Sequence, residues 1–129
     1  MPGMILIATN DPHITYLLQR YTEESGFQAV KTSRGTDVLN LARQTKPALI
    51  IMEARLLGAA SREVVGCLKA EPSTRDIPIV IYSFSDDDIG DEVEGVAGYL
   101  HRLAMYDDFV RVLRNAGVLS QGASLEGSE

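Results

Sequence analysis

The chain has one cysteine, Cys67, in 129 residues. A lone thiol excludes a disulfide framework and a cysteine-rich zinc site, and it fits a reducing compartment. Long apolar runs are also missing. The longest near the start is Met4 to Ala8, too short for a signal-peptide core or a spanning helix, so a soluble cytoplasmic protein with no membrane contact is expected. Basic residues are scarce: 12 Lys and Arg face 18 Asp and Glu, for a net charge of −6 at pH 7. Neutralising phosphates takes an excess of cations, so direct nucleic-acid binding is not expected. The loop Thr9 to His13 (TNDPH) has no glycine fingerprint and no Ser/Thr cluster for a phosphate, and the chain contains no P-loop. The residues that would carry a nucleotide, a flavin or an enzyme reading are therefore absent.

With 45% hydrophobic residues, the chain has the composition of one ordinary globular domain. At this length it buries roughly two-thirds of the surface its unfolded form exposes and needs no staple. Its charge is uneven: residues 86 to 94 (DDDIGDEVE) hold six acids and no base, and the other 120 residues sum to zero.

Three short apolar runs, Met4 to Thr9, Ala48 to Met52 and Ile79 to Ser83, suit strands buried on both faces. After the first, Asp11 is placed to cap a helix with Pro12 in its first turn, and Ile14, Leu17, Leu18 and Tyr21 follow helical spacing to Gly26. Phe27 to Thr32 reads as extended and Thr36 to Gln44 as helix. Ser61 opens a helix that turns Val64, Val65 and Leu68 inward and stops before Pro72. Cys67, beside those positions, reads as a buried small hydrophobe. Tyr99 to His101 reads as a short strand, and Asp107 opens a last helix with Phe109, Val112, Leu113 and Ala116 on one face. Residues 1–118 form the expected domain, and 119–129, rich in Gly, Ser and Glu, read as a disordered tail or linker.

Strand and helix alternate throughout. Such alternation implies a parallel sheet with helices on both faces and chemistry outside the carboxyl ends of the strands. The stretches ILIATNDPHI, PALIIMEARLLG, LKAEPSTRDIPIVIYSF and GVAGYLHRL, in that order, resemble the receiver domain of bacterial response regulators over about residues 4 to 118. The resemblance implies an α/β, flavodoxin-like (CheY-like), doubly wound five-stranded parallel sheet of order 2-1-3-4-5 with about five helices.

The resemblance also implies phosphoryl transfer from a histidine kinase to an aspartate, with two acids and that aspartate holding magnesium. Position by position, the acidic pair falls on Thr9 and Asn10, the phosphoacceptor on Glu53, the switch hydroxyl on Ser83, the switch aromatic on Tyr99 and the lysine on Arg102; Leu103 stands where a proline is usual. Only Ser83 and Tyr99 match in kind. Thr9 and Asn10 offer neutral oxygens, so no cofactor is expected and magnesium is not needed. Glu is one methylene longer than Asp, a shift of roughly 1.5 Å, and misplacement on that scale costs about a hundredfold in a positioned reaction.

What remains is an expected ion pair of Glu53 with Arg102, Asn10 and Ser83 beside it. Two readings of it stay open: the pair merely satisfies strand-end charges, or Glu53 partly mimics a phosphoaspartate and holds an active-like state. Asp11 is the residual acid beside the missing pair; its simpler role is a helix cap. His13 and His101 lack companions at metal-ligand spacing.

Contacts with a protein partner are the expected function, the partner being a histidine kinase, an output domain or another receiver, with homodimerisation included. The face would carry Asp86, Asp87, Asp88, Asp91, Glu92, Val93, Val96 and Leu100. The six acids otherwise read as a solvated helix start. The expectation is thus signal transduction by a degenerate receiver, not an enzyme, independent of aspartyl phosphorylation. Its rivals are a receiver still phosphorylated by atypical chemistry at Glu53, and a small-ligand domain at the strand ends.

Overall fold

The computed structural model describes residues 3–53, 55–56, 59–83, 95–101, 106–115 and 117. Five parallel strands form one sheet: β1 (Met4–Ala8), β2 (Gln28–Thr32), β3 (Leu49–Glu53), β6 (Ile79–Ser83) and β7 (Gly98–His101), in the order β2-β1-β3-β6-β7. Between β3 and β6, Arg55–Leu56 (β4) and Ala59–Ala60 (β5) pair as a short antiparallel hairpin. Four helices lie among the described residues: α1 (Pro12–Glu24), α2 (Gly35–Thr45), α3 (Ser61–Ala70) and α4 (Tyr106–Asn115). A fifth expected helix, in the acidic stretch, falls outside the described residues, as does the expected tail.

The unbroken apolar runs are explained by the two layers that cover the sheet. Successive strand residues point to opposite faces. Ile5, Ile7, Leu49, Ile51, Val80 and Tyr82 face one side, where Ile14 and Leu18 of α1 and Leu113 of α4 cover them. Leu6, Ala8, Ile50, Met52, Ile79 and Ile81 face the other, against Val38 and Ala42 of α2 and Val64, Val65 and Leu68 of α3. A strand with helices on both faces has no side to leave polar.

The helix ends follow local chemistry. Asp11 Oδ1 accepts from the N–H groups of His13 (2.8 Å) and Ile14 (3.4 Å) and so caps α1, with Pro12 in the first turn where its missing N–H costs nothing. α2 closes on Lys46 in the left-handed region (φ 47°), immediately before Pro47. A two-pronged ion pair, Arg43 Nε and Nη2 each 2.7 Å from a Glu71 oxygen, ties the end of α2 to the end of α3.

Cys67 corrects the sequence expectation: it is exposed. At about 3.6 residues per turn, Val64, Val65 and Leu68 centre the inward stripe, and Cys67 lies beyond its edge. Its thiol stands on the wall of a groove of about 630 Å³ between α2 and α3. No helix among the described residues is long and apolar enough to cross a membrane.

Candidate functional site

All five sheet strands run parallel, so their carboxyl ends share one edge of the sheet. Ala8 pairs with Met52, Glu53 with Tyr82 and Ser83 with His101. Thr9, one residue past the end of β1, is therefore level with Glu53. It also shares that residue's parity: Ile5 and Ile7 lead to Thr9, Leu49 and Ile51 lead to Glu53, and Val80 leads to Tyr82, all on the α1 side of the sheet.

The contacts follow. Thr9, 3% exposed, donates its hydroxyl proton to Glu53 Oε1 over 2.6 Å, and the Asn10 main-chain N–H donates to the same oxygen over 2.9 Å. Thr9 is fixed in turn: its N–H reaches Thr32 O (3.1 Å), and its hydroxyl accepts from the Asp11 N–H (3.1 Å). A chain of hydrogen bonds thus runs from the first residue before α1, through Thr9, to the end of β3. The short Thr9 bond is of the charge-assisted kind, in which an ionised acceptor pulls the donor close.

Beside Glu53 on the neighbouring strand lies Tyr82, buried among the α1-side cluster. Its phenol is pushed up to about 12, first by burial and then by the negative charges of Glu53 and Asp11. It stays protonated at any physiological pH. Tyr82 is not among the expected site residues; its signal is its parity with Thr9 and Glu53, which requires the register.

Of the expected site residues, the structure brings together Thr9, Asn10 and Glu53, with Asp11 adjacent as the α1 cap. Asn10 acts through its main chain as well, which its residue type could not disclose. Ser83 ends β6 and Tyr99 and Leu100 lie in β7, but their side chains are outside the described residues. Arg102, Leu103, Asp86, Asp87, Asp88, Asp91, Glu92 and Val93 also lie outside them, so the expected pair of Glu53 with Arg102 is not on view. Val96, expected on the contact face, is the one apolar side chain of that set among those described. It is half-buried and packed against the cluster of Val65, Leu68, Ile79 and Ile81, because the chain turns it toward α3 instead of outward.

The donor set does not fit magnesium. Mg²⁺ wants a near-octahedral oxygen shell, usually with one or two carboxylates. Here Oε1 of Glu53 already holds two donors, the Thr9 hydroxyl proton is directed at that oxygen, and Asp11 is turned to its own helix. Among the described residues, no three His, Cys, Asp or Glu side chains converge on one point.

No protein-family model matches the chain. It is 30% identical over 99 residues to Protein PilH of Pseudomonas aeruginosa, covering 74% of this chain and 82% of that one. The polar-differentiation response regulator DivK of Brucella anthropi is 25% identical over 118 residues, covering 89% of this chain and 96% of that one. The chain belongs to the CheY-like response-regulator receiver family. Receiver domains are signalling modules, not enzymes. The fold agrees: the CheY-like receiver domain from Methylobacillus flagellatus superposes with a TM-score of 0.80 at 21% identity, over 90% of this receiver and 99% of that chain. The receiver domain of the sensor histidine kinase PA1611 from Pseudomonas aeruginosa, which carries a magnesium ion in its active-site cleft, gives 0.81 at 16%, over 91% of this receiver and 99% of that chain.

Proposed function

We propose that this receiver is degenerate and signals through protein contacts that do not depend on aspartyl phosphorylation. The observation that carries the reading is the state of Glu53 at the phosphoacceptor position. Its Oε1 is held by the Thr9 hydroxyl and the Asn10 N–H, the two positions where the family keeps its acids. The positions that would chelate a cation here donate hydrogen bonds to the acceptor.

The physical consequence is a site without its electrostatic need. Three carboxylates at one point repel and call for a divalent ion, whereas one carboxylate bound by neutral donors does not. Phosphoryl transfer depends on positioning plus metal charge, and both are altered: the carboxylate sits one methylene further out, and the metal's ligands are gone. Glu53 places a carboxyl group near the position a phosphoryl group would occupy, and Ser83 and Tyr99 keep the family's switch residue types. Partner contacts fall to the face built on residues 86 to 116, with its acids facing a basic surface on a histidine kinase, an output domain or another receiver.

Incubation with acetyl phosphate or phosphoramidate and Mg²⁺ tests this. The intact mass stays unchanged; a hydroxylamine-sensitive phosphoryl adduct on Glu53 overturns the reading.

A further inference from the structure

Lys69, in the last turn of α3, does not end in solvent. Its ammonium donates to the main-chain carbonyls of Arg75 (2.9 Å) and Ile77 (3.0 Å), both in the connection that leads into β6. Burial pulls its pKa below the ordinary lysine value, against a smaller opposing pull from Asp76. The stem of the same side chain supports a second segment. Gly95, with φ of +93°, lies so close that a Cβ on it would stand 3.3 Å from Lys69 Cγ and 3.7 Å from both Lys69 Cε and Val65 Cγ1. Two residues later the Ala97 N–H reaches Ile79 O over 2.7 Å, and β7 begins at Gly98.

We infer that Lys69 is a strut that fixes both segments flanking β6, its ammonium holding the connection before that strand and its stem holding the chain where it returns into β7. The two halves of one side chain do different work, as long cationic side chains can when the stem packs and the head finds acceptors. The connection it holds is otherwise a self-wound turn: the Thr74 hydroxyl bonds Leu68 O (2.7 Å), and the Ile77 N–H bonds Thr74 O (3.1 Å). None of those bonds reaches residue 95. Ile77 and Val96 also pack on the apolar cluster that includes Val65 and Leu68, so Lys69 adds to that contact a polar hold before β6 and a stem contact before β7, and α3 contributes to the placement of β7 alongside its pairing with β6. This holds whether or not Glu53 is ever phosphorylated.

Native-state hydrogen exchange on two variants tests it. Lys69→Met keeps the stem and removes the donors, so the Ile77 amide exchanges at least about tenfold faster while Ala97 is unchanged. Lys69→Ala removes both, and Ala97 accelerates as well. The Thr9 and Ile51 amides stay as in the wild type throughout. Acceleration of Thr9 and Ile51 together with Ala97 would show a general loss of stability and overturn the strut, as would an unchanged Ala97 in Lys69→Ala. If Lys69→Ala does not fold, the wild type decides: the inference requires a nuclear Overhauser contact between the Lys69 Cγ protons and the Gly95 Cα protons, and its absence overturns the strut.

Discussion

The hydroxyl of Thr9 gives its proton to Glu53 Oε1 over 2.6 Å, joining the loop before α1 to the end of β3. With the Asn10 N–H on the same oxygen, the chain itself ties these two strand ends together.

Replacing Thr9 with Val keeps the shape and removes the bond. The Glu53 charge then loses one of its two described donors, and the Asp11 N–H loses its acceptor. Urea denaturation is expected to show a loss of about 1–3 kcal/mol for Thr9→Val and a much smaller one for Thr9→Ser, which keeps the hydroxyl. Equal losses would mean that packing, not the hydrogen bond, matters at this position.

Asp11 sits where an acid could rescue a metal site, but its carboxylate caps α1 through the N–H groups of His13 and Ile14. Asp11→Ala is expected to cost about 1 kcal/mol, and Asp11→Ser or Asp11→Asn only a fraction of that. A cost that appears only when Mg²⁺ is present would contradict the capping role.

Glu71 gives a pH dependence with a definite sign. Hydrogen bonds from Arg43 and then Ser73 hold its carboxyl down at about 2, against an ordinary 4.5. Between those values the unfolded chain binds the proton and the folded one does not, so this contribution is complete above 4.5 and is lost as the pH falls toward 2. Thermal unfolding of the wild type and Arg43→Gln should show a gap that is steady near neutrality and closes across that window. Because the pair is exposed, added salt should narrow the gap at every pH.

Tyr82 does the reverse at the alkaline end. Its phenol is raised from 10.0 to about 12, so the folded state keeps a proton that the unfolded state releases. The stabilisation is complete below pH 10 and is lost as the pH rises toward about 12. The fall in stability over that range should be shallower for Tyr82→Phe than for the wild type, and parallel curves would contradict the burial of this phenol beside Glu53.

Much of this fold could be read from residue order. The runs MILIAT, ALIIM and IVIYS announced β1, β3 and β6 because strands covered on both faces have no polar side, and Asp11 with Pro12 marked the start of α1 by capping chemistry. The hairpin of β4 and β5 could not be read, since two-residue strands carry no periodicity. The exposure of Cys67 is not legible in the sequence, because the residue borders a stripe whose edge depends on how α3 is rotated. At the site, charge matching directed attention from Glu53 to Arg102, whereas the contacts on view come from a neutral hydroxyl and a main-chain N–H. Those depend on the register Ala8 to Met52 and on shared parity along the strands, and neither is a property of any single residue.

If Thr9 and Asn10 occupy the acceptor carboxylate in place of a metal, as proposed, Mg²⁺ finds no binding site there. The most direct measurement is an Mg²⁺ titration followed at the Thr9 and Asn10 amide resonances, with a Thr9→Asp, Asn10→Asp, Glu53→Asp variant alongside. No saturable shift is expected in the wild type at millimolar Mg²⁺, and a saturable one is expected in the variant. A saturable shift of the wild-type Asn10 amide, suppressed by Glu53→Gln, would show a metal at this carboxylate and overturn the proposal.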